Sequence, residues 1–329
     1  MTLAVWVTFL AGAFNLSAVF LFGSTGEIVI EKSGHLNLGI PGVMSVGAAA
    51  GYLTIYSLLK AGVSCDSKLI LFIPMLSTIL AGGLMGLLYS FMTVTLRANQ
   101  NVTGLAMTTF GLGLAGHFVN SVKLKFGKIA TAKAAYTNFF NVDVTIGTDV
   151  TLGNSLKQIF LAHGFLVYFA IIIAIVAQII LSKTRTGLHL RAVGESPATA
   201  DAAGINVTAY KYIATIIGSA IAALGGLYAI MEHLHGRWDY VCEGFGWLSI
   251  ALVIFTIWRP GLAIPGSIIF GGLFILKDNL PVSNEAIKFL IKVLPYAMTI
   301  IVLIITSIVG SKKVQPPASL GQNYFREER

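Results

Sequence analysis

Long stretches without charged residues alternate with short polar segments along almost the whole chain. Nine stretches contain no Lys, Arg, Asp or Glu. A charged side chain at the centre of a bilayer costs about 3 kcal/mol, and about 20 apolar residues span the bilayer as a helix. The pattern therefore predicts an all-α, polytopic membrane protein with about 8–10 transmembrane helices. The uncharged stretches are residues 1–26, 33–59, 69–96, 98–122, 158–182, 212–231, 244–258, 260–276 and 293–311.

Two of these stretches, 244–258 and 260–276, are short and are separated only by Arg259. The sequence is compatible with two short transmembrane helices or with one broken, tilted element.

Composition supports the membrane assignment. Hydrophobic residues make up 56% of the chain and charged residues 11%, too few to cover the surface of a soluble domain of this length. The formal net charge is +8, but the basic residues are scattered at the ends of the apolar stretches and do not alternate with aromatic residues. The expected partner is the lipid bilayer, and no nucleic acid is expected.

The two cysteines, Cys65 and Cys242, are too few for a disulfide framework. Their spacing matches no metal motif, and the chain lacks the H-E-x-x-H pattern of zinc enzymes. We expect no disulfide between them, no metal site, no cofactor and no catalytic residue.

Residues 182–211 form the longest polar segment outside the basic region 121–157. Ser196 is a suitable helix cap, Pro197 suits the first helical position, and Gly204 can adopt a left-handed closing conformation. The residues between them are mostly small, which would let another surface approach the backbone closely. An ordinary cytosolic connector with a short helix fits the same residues.

The distribution of Lys and Arg does not fix the orientation. If residues 182–211 face the cytosol, the two sides carry equal numbers of Lys and Arg, because the loop 121–157 contributes Lys123, Lys125, Lys128 and Lys133 to the outside. We expect a single transmembrane domain at 1–311 and a flexible cytoplasmic tail at 312–329, whose composition is polar and rich in proline.

A short pattern, I-P-G-x-x-x-x-G, occurs at residues 40–47 and again at 264–271. If it opens a helix in both halves of the chain, it marks a possible inverted internal repeat of the kind that many transporters contain.

The chain carries no phosphate-binding G-x-x-x-x-G-K-[ST] motif, since its only Gly-Lys pair, at residues 127–128, is followed by Ile129. Any ATPase must then be a different chain. A proton-coupled transporter would need an ionisable residue within its membrane helices. The nine stretches contain no carboxylate, and His117 and His163 are among the histidines inside them. A sodium-coupled carrier stays open, because backbone carbonyls and hydroxyls can bind sodium.

Four passages occur in order and resemble the nucleoside and simple-sugar permease branch of the branched-chain amino acid and ribose permease superfamily. The first is EKSGHLNLGI at 31–40, and the second is ANQNVTGLA at 98–106. The third, 187–204, contains RAVGE and the small-residue helix, and it is similar to the coupling loop of ABC-importer permeases. The fourth runs from residue 244 to 260. The chain departs from the branch at Pro41, where an acidic residue is usual.

The resemblance implies a permease subunit, itself not an enzyme, in the cytoplasmic membrane of a bacterium or archaeon. Its implied partners are cytosolic ABC ATPase subunits, a second permease subunit as a hetero- or homodimer, and an extracytoplasmic substrate-binding protein. The resemblance places 182–211 in the cytosol as a coupling loop. The residues that would contact the ATPase are Glu195, Ser196, Pro197, Asp201, Ala202 and Gly204.

The cargo is expected to be neutral, because the apolar stretches offer little charge to bind an anion. The resemblance favours nucleosides, with simple sugars as the alternative. Candidate residues of the translocation pathway are polar side chains beside apolar stretches, although the same residues could cap helices or pack against the second permease. They are Asn37, Asn99, Asn101 and Thr103.

Overall fold

A computed structural model describes residues 3–65, 67–121, 152–238, 242–279, 284–309 and 315–325. The described residues form helices and turns, with no strand among them. Two π-helical turns, Phe91–Thr95 and Ala229–His233, extend the helices Leu69–Ser90 and Val207–Tyr228. The helices are α1 (Leu3–Glu31), α2 (Ile40–Lys60), α3 (Leu69–Ser90), α4 (Gln100–Ser121), α5 (Leu152–Phe160), α6 (Phe165–Lys183), α7 (Arg185–Glu195), α8 (Pro197–Ala202), α9 (Val207–Tyr228), α10 (Cys242–Phe255), α11 (Pro260–Asn279) and α12 (Glu285–Val309).

Six of these helices are long and apolar enough to cross a membrane, and three shorter apolar segments accompany them in α10, α11 and α12. Large apolar side chains on α3, α6 and α12 are exposed, as expected of surfaces that contact lipid. The prediction of an all-α, multi-pass membrane protein is confirmed. The basic cluster at 123–133 lies outside the described residues.

The stretches 244–258 and 260–276 form two helices, α10 and α11. The turn between them holds Ile257 and Trp258 at positive φ angles of 55° and 52°. Pro260 begins α11, where its missing N–H needs no intrahelical acceptor.

Some membrane helices are longer than the uncharged stretches that predict them. Helix α1 continues past residue 26 to Glu31, so both Glu27 and Glu31 lie inside it and are buried. Glu232 is likewise buried, in the π-helical turn after α9. The expectation that the membrane helices hold no carboxylate is therefore wrong, and it no longer argues against ion coupling.

The two I-P-G motifs are not equivalent. Residues 40–42 open α2, whereas α11 begins at Pro260, one turn before the second motif. The expectation that the motif opens a helix in both halves is wrong for the second copy.

Helix α9 lies at the centre and packs against α1, α2 and α3. The crossing with α1 is close enough that a Cβ atom added to Gly26 would lie 2.3 Å from the carbonyl oxygen of Gly218. At the other end of α9, the Tyr228 hydroxyl donates to the carbonyl of Asn15 at 2.8 Å. Small residues thus let the central helix contact three neighbours through its backbone.

One end of the bundle collects the turn between α1 and α2, the helices α7 and α8, and residues 315–325. Gly321 N donates to Gly34 O at 3.2 Å, and Ser319 N donates to Gly194 O at 3.0 Å. The expectation of a flexible tail is wrong for residues 315–325, because these bonds tie the tail to the bundle. Cys65 and Cys242 are not joined by a disulfide.

Candidate functional site

The short helix expected in the 182–211 segment is present as α8. The Ser196 hydroxyl accepts a hydrogen bond from Thr199 N, Pro197 occupies the first turn, and Gly204 closes the helix with φ +82°. These three features are local, so the sequence contains enough information to predict them.

The segment also holds a second helix, α7, which was not expected from the sequence. Its signal was available, since the Thr184 hydroxyl caps the helix by accepting from Gly187 N at 3.1 Å. The polar segment is also shorter than 182–211, because α9 begins at Val207 and buries Lys211.

Helix α8 has one anchored face and one exposed face. Ala200 is buried against Val193 and Val207. Ala198 and Ala202 are exposed, as are Thr199, Ala203 and Gly204 around them. The exposed face carries only small side chains and can therefore enter a socket on another protein without rearranging.

A direct backbone contact fixes α7 and α8 on the bundle. A Cβ atom added to Gly194 would lie 2.4 Å from the carbonyl oxygen of Lys32, in the turn after α1. Next to it, Glu195 accepts from Ala318 N at 3.4 Å and attracts the ammonium of Lys32. Helix α7 is therefore fixed directly to the turn that follows α1.

The tail also contacts α8. The Tyr324 hydroxyl donates to the Asp201 carboxylate at 2.8 Å, and the Ser319 hydroxyl donates to Gly194 O at 2.6 Å. Asn323 bonds to the backbone that precedes α4, with its Nδ2 at 2.8 Å from Arg97 O. Asp201, expected to contact an ATPase, is thus held by the tail.

We expect Tyr324→Phe to loosen the tail, because a hydrogen bond to a carboxylate contributes about 1.5–3 kcal/mol. Hydrogen exchange of the Ser319 and Gly321 amides should become about tenfold faster or more. Tyr212→Phe is the matched control, since its hydroxyl contacts only the exposed Thr95 hydroxyl. Equal exchange in the two variants would contradict the assigned role of the tail.

The four expected pathway residues do not form one site. Asn99 and Asn101 are exposed at the start of α4, where Asn99 Oδ1 accepts from Val102 N at 3.1 Å and thereby caps the helix. Thr103 is buried in the same helix. Asn37 is buried in the turn before α2, with its Oδ1 accepting from Gly39 N at 2.9 Å.

The buried polar groups that do cluster surround the EKSGHLNLGI turn. Glu27 accepts from Asn37 N at 3.2 Å, and Glu31 accepts from the indole N–H of Trp258. The Tyr89 hydroxyl donates to Leu36 O at 2.6 Å. Gln100 bridges this turn to the tail, since its Oε1 accepts from Leu36 N and its Nε2 donates to Gln322 O. The cluster explains why this turn needs specific polar residues.

Burial affects the titratable groups beside the turn. It lowers the pKa of Lys32 below its usual value, against the attraction of Glu195. Burial and the positive charge of Lys211 hold the pKa of His35 well below its usual value, so this imidazole is neutral at pH 7. His35 Nδ1 bonds to the Thr215 hydroxyl at 3.1 Å.

The described residues contain no group of three His, Cys, Asp or Glu side chains that could hold a metal ion. His163, one of the two histidines noted in the sequence, lies in the turn before α6. Its Nε2 bonds to Ile159 O at 2.8 Å, and burial lowers its pKa.

The sequence matches a known protein family and several named proteins. Residues 9–303 match the family model described as branched-chain amino acid transport system / permease component. The chain is 32% identical to the nucleoside ABC transporter permease protein NupC of Lactococcus lactis, over 95% of each protein. It is 29% identical to the guanosine ABC transporter permease protein NupQ of Bacillus subtilis, over 95% of each.

A third relative is named for a different cargo. The chain is 27% identical to the putative glucose ABC transporter permease protein TsgC13 of Haloferax volcanii, over 98% of this chain and 99% of the relative. No solved structure matches the chain.

Proposed function

The chain belongs to the family of permease components of branched-chain amino acid transport systems, and from that membership we propose that it imports nucleosides as the permease subunit of an ABC importer. The protein is a multi-pass membrane protein of the cytoplasmic membrane. In this proposal residues 1–311 form the permease domain, 182–211 contain the coupling loop, and 312–329 form a tail on the cytosolic side.

The observation that carries the proposal is helix α8. It is capped at both ends, tied to the end of α1 through Gly194, and exposes only small side chains. A helix of this kind can transmit a displacement because α7, which directly precedes it, contacts the turn after α1 through the backbone at Gly194. Closure of two ATP-loaded subunits would move α8 and, with it, the α1–α2 turn.

The proposed function requires three kinds of partner protein. An ATPase dimer docks on α8 from the cytosol, a second permease subunit completes the pathway, and a substrate-binding protein delivers cargo at the opposite end of the bundle. In this arrangement Ser196, Pro197 and Gly204 shape the helix, and Ala202 contacts the ATPase. Glu195 and Asp201 hold the tail in place, since they accept hydrogen bonds from Ala318 and Tyr324.

Nucleosides are the first choice of cargo, because the two relatives named above with 32% and 29% identity carry nucleoside and guanosine in their names. Simple sugars are the second choice, supported by the putative glucose permease.

Uptake measurements separate the two cargoes. Cells that lack this chain should lose uptake of labelled nucleosides and regain it when the gene is returned, whereas glucose and ribose uptake should stay unchanged. Unlabelled nucleosides should compete and sugars should not. Loss of sugar uptake with nucleoside uptake retained would exclude the nucleoside assignment.

A further inference from the structure

A polar cavity of about 390 Å³ lies between α8, the start of α9, the π-helical turn after α3 and the tail. It opens at the end of the bundle that carries α8. Its volume is in the range of small-molecule sites and exceeds what a single bound water needs. Its walls include His35, Arg97, Asp201, Lys211, Asn323 and Tyr324.

Lys211 is the unusual member of this wall. Only 2% of its surface is exposed, yet among the residues that the structure describes its ammonium has no hydrogen-bond or ion-pair partner. A buried charge without a partner is expensive, so it is normally paired or serves a ligand. Lys211 lines the cavity, and the cavity is where a counter-charge can reach it.

The amino end of α9 faces the same space. Val207 and Thr208 line the cavity, and their N–H groups lie in the first turn, where no intrahelical acceptor exists. The Asn206 side chain caps only Ala209 N, at 3.0 Å. The helix terminus and Lys211, one turn further on, thus both place positive charge at the wall of this cavity.

Among the described residues, the wall of the cavity carries the basic residues Arg97 and Lys211 and the acidic residue Asp201. Arg97 lies at its edge, with its guanidinium carbon 5.0 Å from the centre of the Phe325 ring. Among the described residues of the wall, Asp201 is the one carboxylate, and it accepts a hydrogen bond from the hydroxyl of Tyr324. His35 is neutral and contributes no charge at pH 7.

We propose that this cavity is a binding site for a phosphate monoester, whose oxyanion contacts Lys211 and the first N–H groups of α9. The volume left beside a phosphate group fits a small metabolite better than inorganic phosphate alone. A ligand here would contact α8 through Asp201 and Gly204, so the site lies where a cytosolic metabolite can regulate the permease. The choice of a nucleoside monophosphate as probe, and this regulatory role, rest on the proposed function; binding itself does not.

The test is thermal unfolding of the purified full chain in nanodiscs of neutral phosphatidylcholine, with and without adenosine monophosphate. At saturation we expect the melting temperature to rise by about 5 °C, and uncharged adenosine should produce no rise. Lys211→Met should abolish the rise. Without ligand, this variant should melt at the same temperature as the parent or higher, since it removes a buried unpaired charge.

Lys183→Met is the matched control, because Lys183 is exposed at the end of α6, towards the same side of the membrane, and lines no part of the cavity. It should keep the full response to adenosine monophosphate. No rise in the parent protein, or an equal rise in the Lys211 variant, would overturn the proposal. A Lys211-dependent rise seen only when phosphatidylglycerol is added to the nanodiscs would also overturn it, because the site would then bind a lipid headgroup.

Nucleoside uptake separates this inference from the proposed function. If the chain imports no nucleoside but adenosine monophosphate still stabilises it through Lys211, the site stands and the proposed cargo fails. If uptake occurs without any such stabilisation, the cargo stands and the site fails.

Discussion

Ala202→Trp should reduce nucleoside uptake by about tenfold or more and should prevent copurification of the ATPase subunit. Ala202 is exposed on the small-residue face of α8, so the protein itself has room for the indole. A socket shaped for small side chains does not have that room, and overfilling a packed interface costs about 1–3 kcal/mol or more. The measurements are uptake of labelled nucleoside and pull-down of the ATPase.

Ala61→Trp is the control for this variant. Ala61 is exposed just after α2, which follows the turn that contacts α7 and runs for 21 residues away from it. Ala61 therefore lies about 30 Å from the end of the bundle that carries α8. Both variants should melt at the temperature of the parent protein. Normal uptake in the Ala202 variant would remove α8 from the coupling mechanism.

Gly194→Ala should destabilise the permease by about 1–3 kcal/mol and reduce uptake together with stability. The added methyl group would lie 2.4 Å from Lys32 O and 3.2 Å from Gly34 N, both backbone atoms that cannot move aside individually. Separation of α7 from the α1–α2 turn is the only relief. The measurement is thermal unfolding of the purified protein, paired with uptake.

The matched variant is Gly113→Ala, on an exposed position of α4 where a Cβ atom meets nothing within 4 Å. It should be neutral or stabilising by up to about 1 kcal/mol, because alanine favours helix. If the two alanine variants had equal stability, the backbone contact at Gly194 would be unimportant.

The sequence predicts features whose causes are local. Ser196, Pro197 and Gly204 define α8 by capping, fixed φ and left-handed closure, and all three act within nine residues of each other. The uncharged stretches likewise locate the membrane helices, because the cost of a lone charge in lipid is set residue by residue.

The predictions from the sequence are wrong where a residue distant in the sequence provides a hydrogen-bond partner. Helix α1 holds Glu31 because the indole of Trp258, 227 residues away in the sequence, donates to it. The tail is ordered because Gly194, Arg97 and Asp201 provide its acceptors. Such pairings cannot be predicted from charge spacing or composition alone.

The candidate site likewise combines features that are local in the sequence with contacts between distant segments. The short helix α8 is predicted correctly from local signals. The sequence places Lys211 in a polar loop, because the next uncharged stretch begins only after it. In the structure this lysine is buried in the second turn of α9 and faces a cavity built from four separate segments. Only the tertiary arrangement brings these segments together.

The most direct test of the central claim is site-specific cross-linking between α8 and the ATPase in membranes. A cysteine at position 202, tested against one at position 61 and against the parent protein with its natural Cys65 and Cys242, should form an adduct with the ABC ATPase through a short bifunctional reagent. We expect an adduct at position 202 that changes in yield when ATP is added, and none at position 61. No adduct at position 202, or equal yields at both positions, would contradict it.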